Sequence, residues 1–300
     1  SNANNFLKLN KCTYKNNIHR NKIKLKINQW IYSEFIKTTV LVNKNIEEFR
    51  FDEASRVIYN FVWGSYCDWY LEFLKPIFNS KNKKDKEEAM SFSSYMFMNM
   101  LKLLHPFIPF FTEHMWQDNK FNKSFNTDLI TSNWPKLEKN SSFKKNSIEI
   151  ESLIEIITSI RSTKVQLNIP PKEHCDIIYF NESKKIKIVI DNNLEIVKQV
   201  CRVNNITDKT NLTTNIIQIV VLNEKIGIKF ETQIDLISQK SRLISKQNEL
   251  DMKINALISK LNNQNYIKKA PKDIVLSDKK SLNDLRIEQT KLKSIVSSIN

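Results

Sequence analysis

Asp52, Arg56, Asn60, Gly64, Asp68, Glu72 and Lys75 recur nearly every fourth residue through FRFDEASRVIYNFVWGSYCDWYLEFLK, residues 49–75. On one face of a helix, such carboxylates could accept hydrogen bonds from base amino groups, while Arg56 and Lys75 hold phosphates. A solvated face with ordinary i,i+4 ion pairs has the same spacing, and both readings stand. Gly64 adds a further signal. A glycine inside a helix costs roughly 1 kcal/mol relative to alanine, which is tolerated where another backbone or a ligand must come close. Trp63, Trp69 and Tyr70 read as core residues rather than base-stacking ones.

Other chemistries find little support. Asp52, Glu53, Asp68, Glu72, Glu113 and His114 form neither an HExxH motif nor a tight DxD cluster, which argues against a metal hydrolase. His105, next to Pro106, reads as a packed helix-end residue. With glycine only at 64 and 227, neither a phosphate-cradling P-loop nor a GxGxxG turn can be built. The expectation is therefore a chain without catalytic residues, metal ligands or a cofactor of its own.

A second set of residues is basic. Lys240, Arg242, Lys246, Lys253, Lys260, Lys279, Lys280, Arg286, Lys291 and Lys293 lie off the apolar seam of two C-terminal heptad segments. They suit an arm laid along a nucleic-acid backbone, and equally the solubility of a coiled coil. The net charge of +15 favours a polyanionic partner, although drift toward Lys, Asn and Ile would also produce it. Four dispersed cysteines (Cys12, Cys67, Cys175, Cys201) with no CxxC pair suit reduced thiols in the cytoplasm. No membrane span or signal peptide is evident, so no membrane partner is expected. Ser1-Asn2-Ala3 resembles an expression-tag scar and suggests trimming of a longer protein.

The elements that must position these residues follow from periodicity. Residues 1–27 read as the scar, the remnant of a first helix and a linker. Trp30, Ile31, Phe35, Ile36 and Val40 mark a helix from Asn28, and Asp52 opens one that runs to about Leu74, before Pro76. A third helix spans about Lys86 to Leu104, and after HPFIP a short one restarts near Pro109. Together, 28–137 make a helical bundle. Residues 147–231 read as a small α/β domain, with a helix at its start and strands at CDIIYF, NIIQIVVLN and KIGIKFE. Residues 184–203 fit helix or strand, and helix is preferred. Leu236, Leu243, Leu250, Ile254, Leu257 and Leu261 form one seam within 235–300. Val275, Asp278, Leu282, Leu285, Gln289, Leu292, Val296 and Ile299 form a second, giving an antiparallel coiled-coil hairpin. The fold class is mainly α.

With these elements placed, several segments resemble valyl-tRNA synthetases, a class I aminoacyl-tRNA synthetase family. FVWGSYCDWYLEFLK resembles the family's anticodon-binding helix, LLHPFIPFFTEHMWQ its next signature, and IRSTKVQLNIPP its I-R-x-x-R segment, with Lys164 in place of arginine. YIKKAPKDIV resembles the loop of its C-terminal coiled-coil arm. The HIGH and KMSKS signatures of ATP chemistry are absent. The resemblance implies a C-terminal, catalytically silent fragment that binds valine tRNA, within a full enzyme that uses ATP with magnesium and is a monomer. It implies that Phe6 stacks on an anticodon base and that Asp68, Glu72, Lys75 and Arg56 face the anticodon, Glu72 being the preferred base-reading carboxylate. It further implies that Arg242, Lys246, Lys253, Lys260, Lys279 and Arg286 brace the tRNA elbow. The competing reading is a free-standing coiled-coil RNA-binding or ribosome-associated protein without enzymatic activity. A purely structural bundle with incidental charge is a third.

Overall fold

A computed structural model of the chain describes residues 2–14, 23–135, 143–208, 216–231, 236–264, 266 and 270–298. Ile299 of the second seam and Ile267, Lys268 and Lys269 of the arm loop lie outside the described residues, and so does the side chain of Lys291. The chain divides into two compact units, 1–154 and 155–300. The sheet and the hairpin, expected as separate domains, fall in one unit because the second hairpin helix packs on a strand of the sheet.

The first unit is all helix, starting with α1 (Asn2–Leu9) and α2 (Lys26–Glu47). In α2, Ile31, Phe35 and Val42 are at most 2% exposed, as a 3.6-residue repeat requires, whereas Val40 falls off that face and is 44% exposed. The start of α2 has no capping side chain of its own. Instead, the Glu88 carboxylate accepts from the Lys24 and Leu25 backbone N–H groups at 3.1 and 2.9 Å and from Asn28 Nδ2 at 3.0 Å. The other end of the Asn28 amide accepts from the Tyr70 hydroxyl at 2.8 Å.

A long helix follows in three parts: α3 (Phe51–Asn60), a π-helical stretch (Phe61–Tyr70) and α4 (Leu71–Asn79). The wider winding puts Phe61, Tyr66 and Leu71, five apart, on the buried side and leaves Trp63 and Asp68 exposed. Pro76 does not stop this helix, contrary to the sequence expectation. The lost hydrogen bond and crowded carbonyl are offset because Phe73, Leu74, Pro76 and Phe78 all pack into the core. Helix α5 (Lys83–Leu104) begins a turn earlier than expected because Asn82 Oδ1 caps the N–H groups of Lys84 and Asp85. After the HPFIP turn, α6 (Pro109–Asp118) has proline in its first turn. His105 Nδ1 lies 2.9 Å from Thr112 Oγ1 and so ties the turn to α6. The short α7 (Phe121–Phe125) sits against Trp116, whose ring is 5.2 Å from that of Phe121. Helix α8 (Lys144–Gln166) contributes its first residues to this unit and its last to the second.

In the second unit, β1 (Cys175–Tyr179), β2 (Val203–Asp208), β3 (Ile217–Val221) and β4 (Glu224–Phe230) form one sheet ordered β2-β1-β4-β3. Strands β3 and β4 are antiparallel. Their two-residue link, Leu222-Asn223, has φ of 53° and 62°, the double left-handed turn that matches strand twist. Strand β2, parallel to β1, was not expected. It is an edge strand that buries only Val203 and therefore carries no hydrophobic alternation. Residues 184–201 are helical, as α9 (Lys184–Asn192) and α10 (Leu194–Cys201). The Glu224 carboxylate caps α9 through the N–H groups of Lys185 and Ile186 at 2.9 and 3.0 Å. Lys164 is 3% exposed and donates to the carbonyls of Glu173 at 2.6 Å and Cys201 at 2.9 Å. The substituted lysine is thus an internal strut.

Helices α11 (Leu236–Asn262) and α12 (Lys272–Ser298) form the antiparallel hairpin. Leu243, Leu250, Ile254 and Leu292 are buried along its seam. Its polar seam residues are partnered: Gln289 donates to Asp251, and Asp278 accepts from the Tyr266 hydroxyl at 2.7 Å. Among the described residues no helix is long and apolar enough to cross a membrane.

Candidate nucleic-acid interface

Two surfaces carry the residues singled out by sequence. On α4, Glu72 and Lys75 form an ion pair one helical turn apart, both side chains about two-fifths exposed at 36% and 41%. Asp68, one turn earlier, is exposed on the π-helical stretch. Phe78, three residues beyond Lys75, meets the ring of Phe6 with centroids 5.9 Å apart. Phe6 thus packs by the C-terminal end of this helix, and the Glu72–Lys75 pair lies on the same helix one to two turns earlier. Helix α1 is held there by polar contacts. Lys8 Nζ lies 2.6 Å from Asp118 Oδ1, and Asn4 Nδ2 donates to Asp118 Oδ2 at 2.8 Å. These contacts, Lys8 first, hold the Asp118 carboxyl below its ordinary range.

Arg56 is not part of that cluster. It precedes Glu72 by sixteen residues, about 20 Å along the helix, and it is ion-paired with Glu53. Tyr70 is fully buried, and its hydroxyl is committed to Asn28. Trp69 is half-buried with its ring 5.7 Å from that of Phe73. Trp63 departs from expectation. It is 59% exposed and stacks on Tyr59, itself 63% exposed, with ring planes 4° apart. It lies four residues from exposed Tyr59 and two from buried Phe61, so helical spacing itself puts it on the outer side. At Gly64 an added Cβ would meet nothing within 4 Å. The described fold therefore gives no internal reason for glycine there.

On the hairpin, Arg242, Lys253, Lys279 and Arg286 are exposed. Lys246 pairs with Glu288 at 3.0 Å and Lys260 with Asp278 at 2.8 Å, bracing one helix against the other. Lys260 Nζ also sits 4.7 Å from the Tyr266 ring centre. Lys260 first, then the Tyr266 hydroxyl, lowers the Asp278 pKa, and the same pairing raises that of Lys260. Sequence reasoning could not separate braces from free cations, because partners across a hairpin are set by its register.

Among the described residues no group of three or more His, Cys, Asp and Glu is placed to hold a metal ion. With glycine only at 64 and 227, the chain holds neither a P-loop nor a GxGxxG turn.

Comparison with known proteins covers both of these segments. The model of the anticodon-binding domain of tRNA ligases covers residues 28–179, and that of the valyl-tRNA synthetase tRNA-binding arm covers 235–300. The chain is 36% identical over 287 residues to the valine–tRNA ligase of Pelagibacter ubique, which spans 95% of this chain and 32% of that protein. The ligase of Bartonella quintana is 29% identical over 97% of the chain and 32% of its own length. That of Staphylococcus epidermidis is 28% identical over 90% and 31%. The chain spans about a third of the length of these relatives, and all of them are ligases rather than free-standing RNA-binding proteins. The chain belongs to the valyl-tRNA synthetase family, with the anticodon-binding domain of tRNA ligases in its first half and the family's tRNA-binding arm at its end.

Proposed function

We propose that this chain is the tRNA-binding part of a valine–tRNA ligase: the bundle engages the anticodon stem-loop of valine tRNA and the hairpin braces its elbow. The observation that carries the reading is the order of two different tRNA-binding elements on one chain, a helical bundle and a heptad hairpin, each matched by its own family model. In the bundle, Glu72 accepts hydrogen bonds from a base, with Asp68 beside it, Lys75 near the backbone and Phe6 offering a ring face. Arg56, at a distance from that cluster, contributes by phosphate contact. On the arm, Arg242, Lys253, Lys279 and Arg286 contact phosphates first, because Lys246 and Lys260 must leave their braces to do so. The remainder of the ligase, outside residues 1–300, carries out ATP- and magnesium-dependent esterification of the tRNA with valine. We place the protein in the cytoplasm and the complete ligase as a monomer.

Filter binding of valine tRNA across a salt series tests this. Four phosphate contacts from the arm give a log–log slope of about −3 to −4, using the duplex coefficient. A scrambled anticodon is expected to weaken binding, as is Glu72→Gln. Equal affinity for the two anticodons would remove base reading from the bundle. A slope near zero would remove the arm.

A further inference from the structure

The helix from Phe51 to Asn79 carries an aromatic stripe that its own bundle leaves uncovered. Phe51, Tyr59 and Trp63 are 52%, 63% and 59% exposed. With exposed Ser55 between them they follow four residues apart, which aligns them on one face over about 18 Å. At its Phe51 end the stripe opens into a groove of about 640 Å³ lined by Ile46, Phe51, Pro106, Phe107 and Trp134. At its other end Gly64 leaves the helix backbone open to close approach. Soluble proteins seldom expose apolar surface of this continuity unless something docks on it.

The charges beside the stripe narrow the occupant. Along residues 51–63 the charged side chains are Asp52, Glu53 and Arg56, an acidic patch on a chain of net charge +15. Acidic surface repels phosphate, so a tRNA backbone is disfavoured over the stripe itself. A protein segment with basic side chains fits. The relatives are about three times as long as this chain, so most of such a ligase lies outside residues 1–300.

We propose that the Phe51–Tyr59–Trp63 stripe and its groove seat a helix from the part of the ligase outside residues 1–300. That helix presents apolar side chains to the rings, and Lys or Arg to Asp52 and Glu53. Phe51 and the stacked Tyr59–Trp63 pair, with small Ser55 between them, form an interrupted ridge into which a side chain of the docking helix fits, and Gly64 lets the two backbones approach. The inference rests on the reading of this chain as part of a longer ligase.

The test is the alkylation rate of a cysteine placed by Tyr59→Cys, measured in the 300-residue chain and in the complete ligase without tRNA. The parent proteins supply the background from Cys12 and Cys67. At least tenfold slower labelling is expected in the complete ligase, with no change at an arm control, Met252→Cys. Acrylamide quenching of Trp63, taken as the difference between parent and Trp63→Phe, is expected to fall in parallel and needs no added cysteine. Equal rates in the two proteins would overturn the proposal. So would protection that appears only on adding valine tRNA, or protection of the 300-residue chain that grows with its own concentration. Loss of tRNA binding in the filter assay with protection intact would refute the tRNA reading and leave the docking face standing.

Discussion

Replacing Glu88 by alanine tests whether the CDWY segment is held in the bundle through the Tyr70 hydroxyl. The carboxylate serves three donors: the N–H groups of Lys24 and Leu25 and the amide of Asn28, whose oxygen serves Tyr70. Losing a helix N-terminal cap costs about 0.5–2 kcal/mol. Leaving the buried Asn28 amide short of an acceptor costs about 1–3 kcal/mol. Water reaches the exposed Lys24 N–H, so the combined loss is about 2–3 kcal/mol. For a unit of this size that corresponds to roughly 4–12 °C in Tm. All five tryptophans lie in residues 1–154, so indole fluorescence during urea unfolding follows this unit alone. Tyr70→Phe is expected to cost about 1–2 kcal/mol. Because both act through Asn28, the double variant should lose less than the sum of the singles by about 0.5 kcal/mol or more. A Glu88→Ala loss under about 0.5 kcal/mol, or strict additivity with Tyr70→Phe, would refute the network.

The two glycines should respond oppositely to alanine. At Gly64 a Cβ meets open space, so Gly64→Ala raises the stability of the 300-residue chain by about 0.5–1 kcal/mol in urea titration. At Gly227 it would lie 2.7 Å from Ile216 Cγ2 and 3.2 Å from Ile178 Cβ, so Gly227→Ala costs about 1–3 kcal/mol. Lys164→Met keeps the buried stem but leaves the Glu173 and Cys201 carbonyls without their donor, and about 2–4 kcal/mol should be lost from the second unit by circular dichroism. The folded Asp278 carboxyl is lowered by Lys260 and Tyr266, so its contribution is complete above about pH 4, the ordinary carboxylate range. It is lost as pH falls through the lower folded value. Asp278→Asn should abolish that acid-side loss in the melting of the hairpin, and an unchanged profile would show that the clamp does not form.

Much of the architecture was written in repeats. The hairpin seam survives as buried Leu243, Leu250, Ile254 and Leu292 because a heptad is a long signal that single polar residues do not erase. The β3–β4 hairpin was legible for a similar reason, with alternation on both sides of a two-residue link. What was hidden lacked a repeat of its own. Strand β2 is polar because it lies at a sheet edge, and its pairing is decided by β1 rather than by its own residues. The π-helical stretch was invisible because helical templates assume one winding, and ten residues wound wider bring Tyr66 and Leu71 to the buried side after Phe61 while Asp68 stays exposed. Pro76 reads as a stop in isolation, and only the burial of Phe73, Leu74 and Phe78 carries the helix past it.

The candidate site shows a related division among charged residues. Sequence gave Glu72, Glu88, Glu113 and Glu224 the same chemistry, and the fold gave them different obligations. Glu88 and Glu224 cap helices, and Glu113 accepts from the N–H groups of Leu129 and Ile130 at 3.3 Å. Recruiting any of them for a ligand would strip partly buried backbone donors of their acceptor. Glu72 is different, since its partner is Lys75 in a half-exposed i,i+3 pair. Such pairs contribute about 0–1 kcal/mol, so exchanging Lys75 for a base amino group costs little, and the freed ammonium can turn to phosphate. The same reasoning covers Lys246 and Lys260, whose braces are surface pairs that a phosphate can outcompete at low salt. An ion pair at the surface therefore does not disqualify a residue from binding. A cap on a buried backbone does, and of Glu72, Glu88, Glu113 and Glu224 it leaves Glu72 open to the base-reading role proposed above.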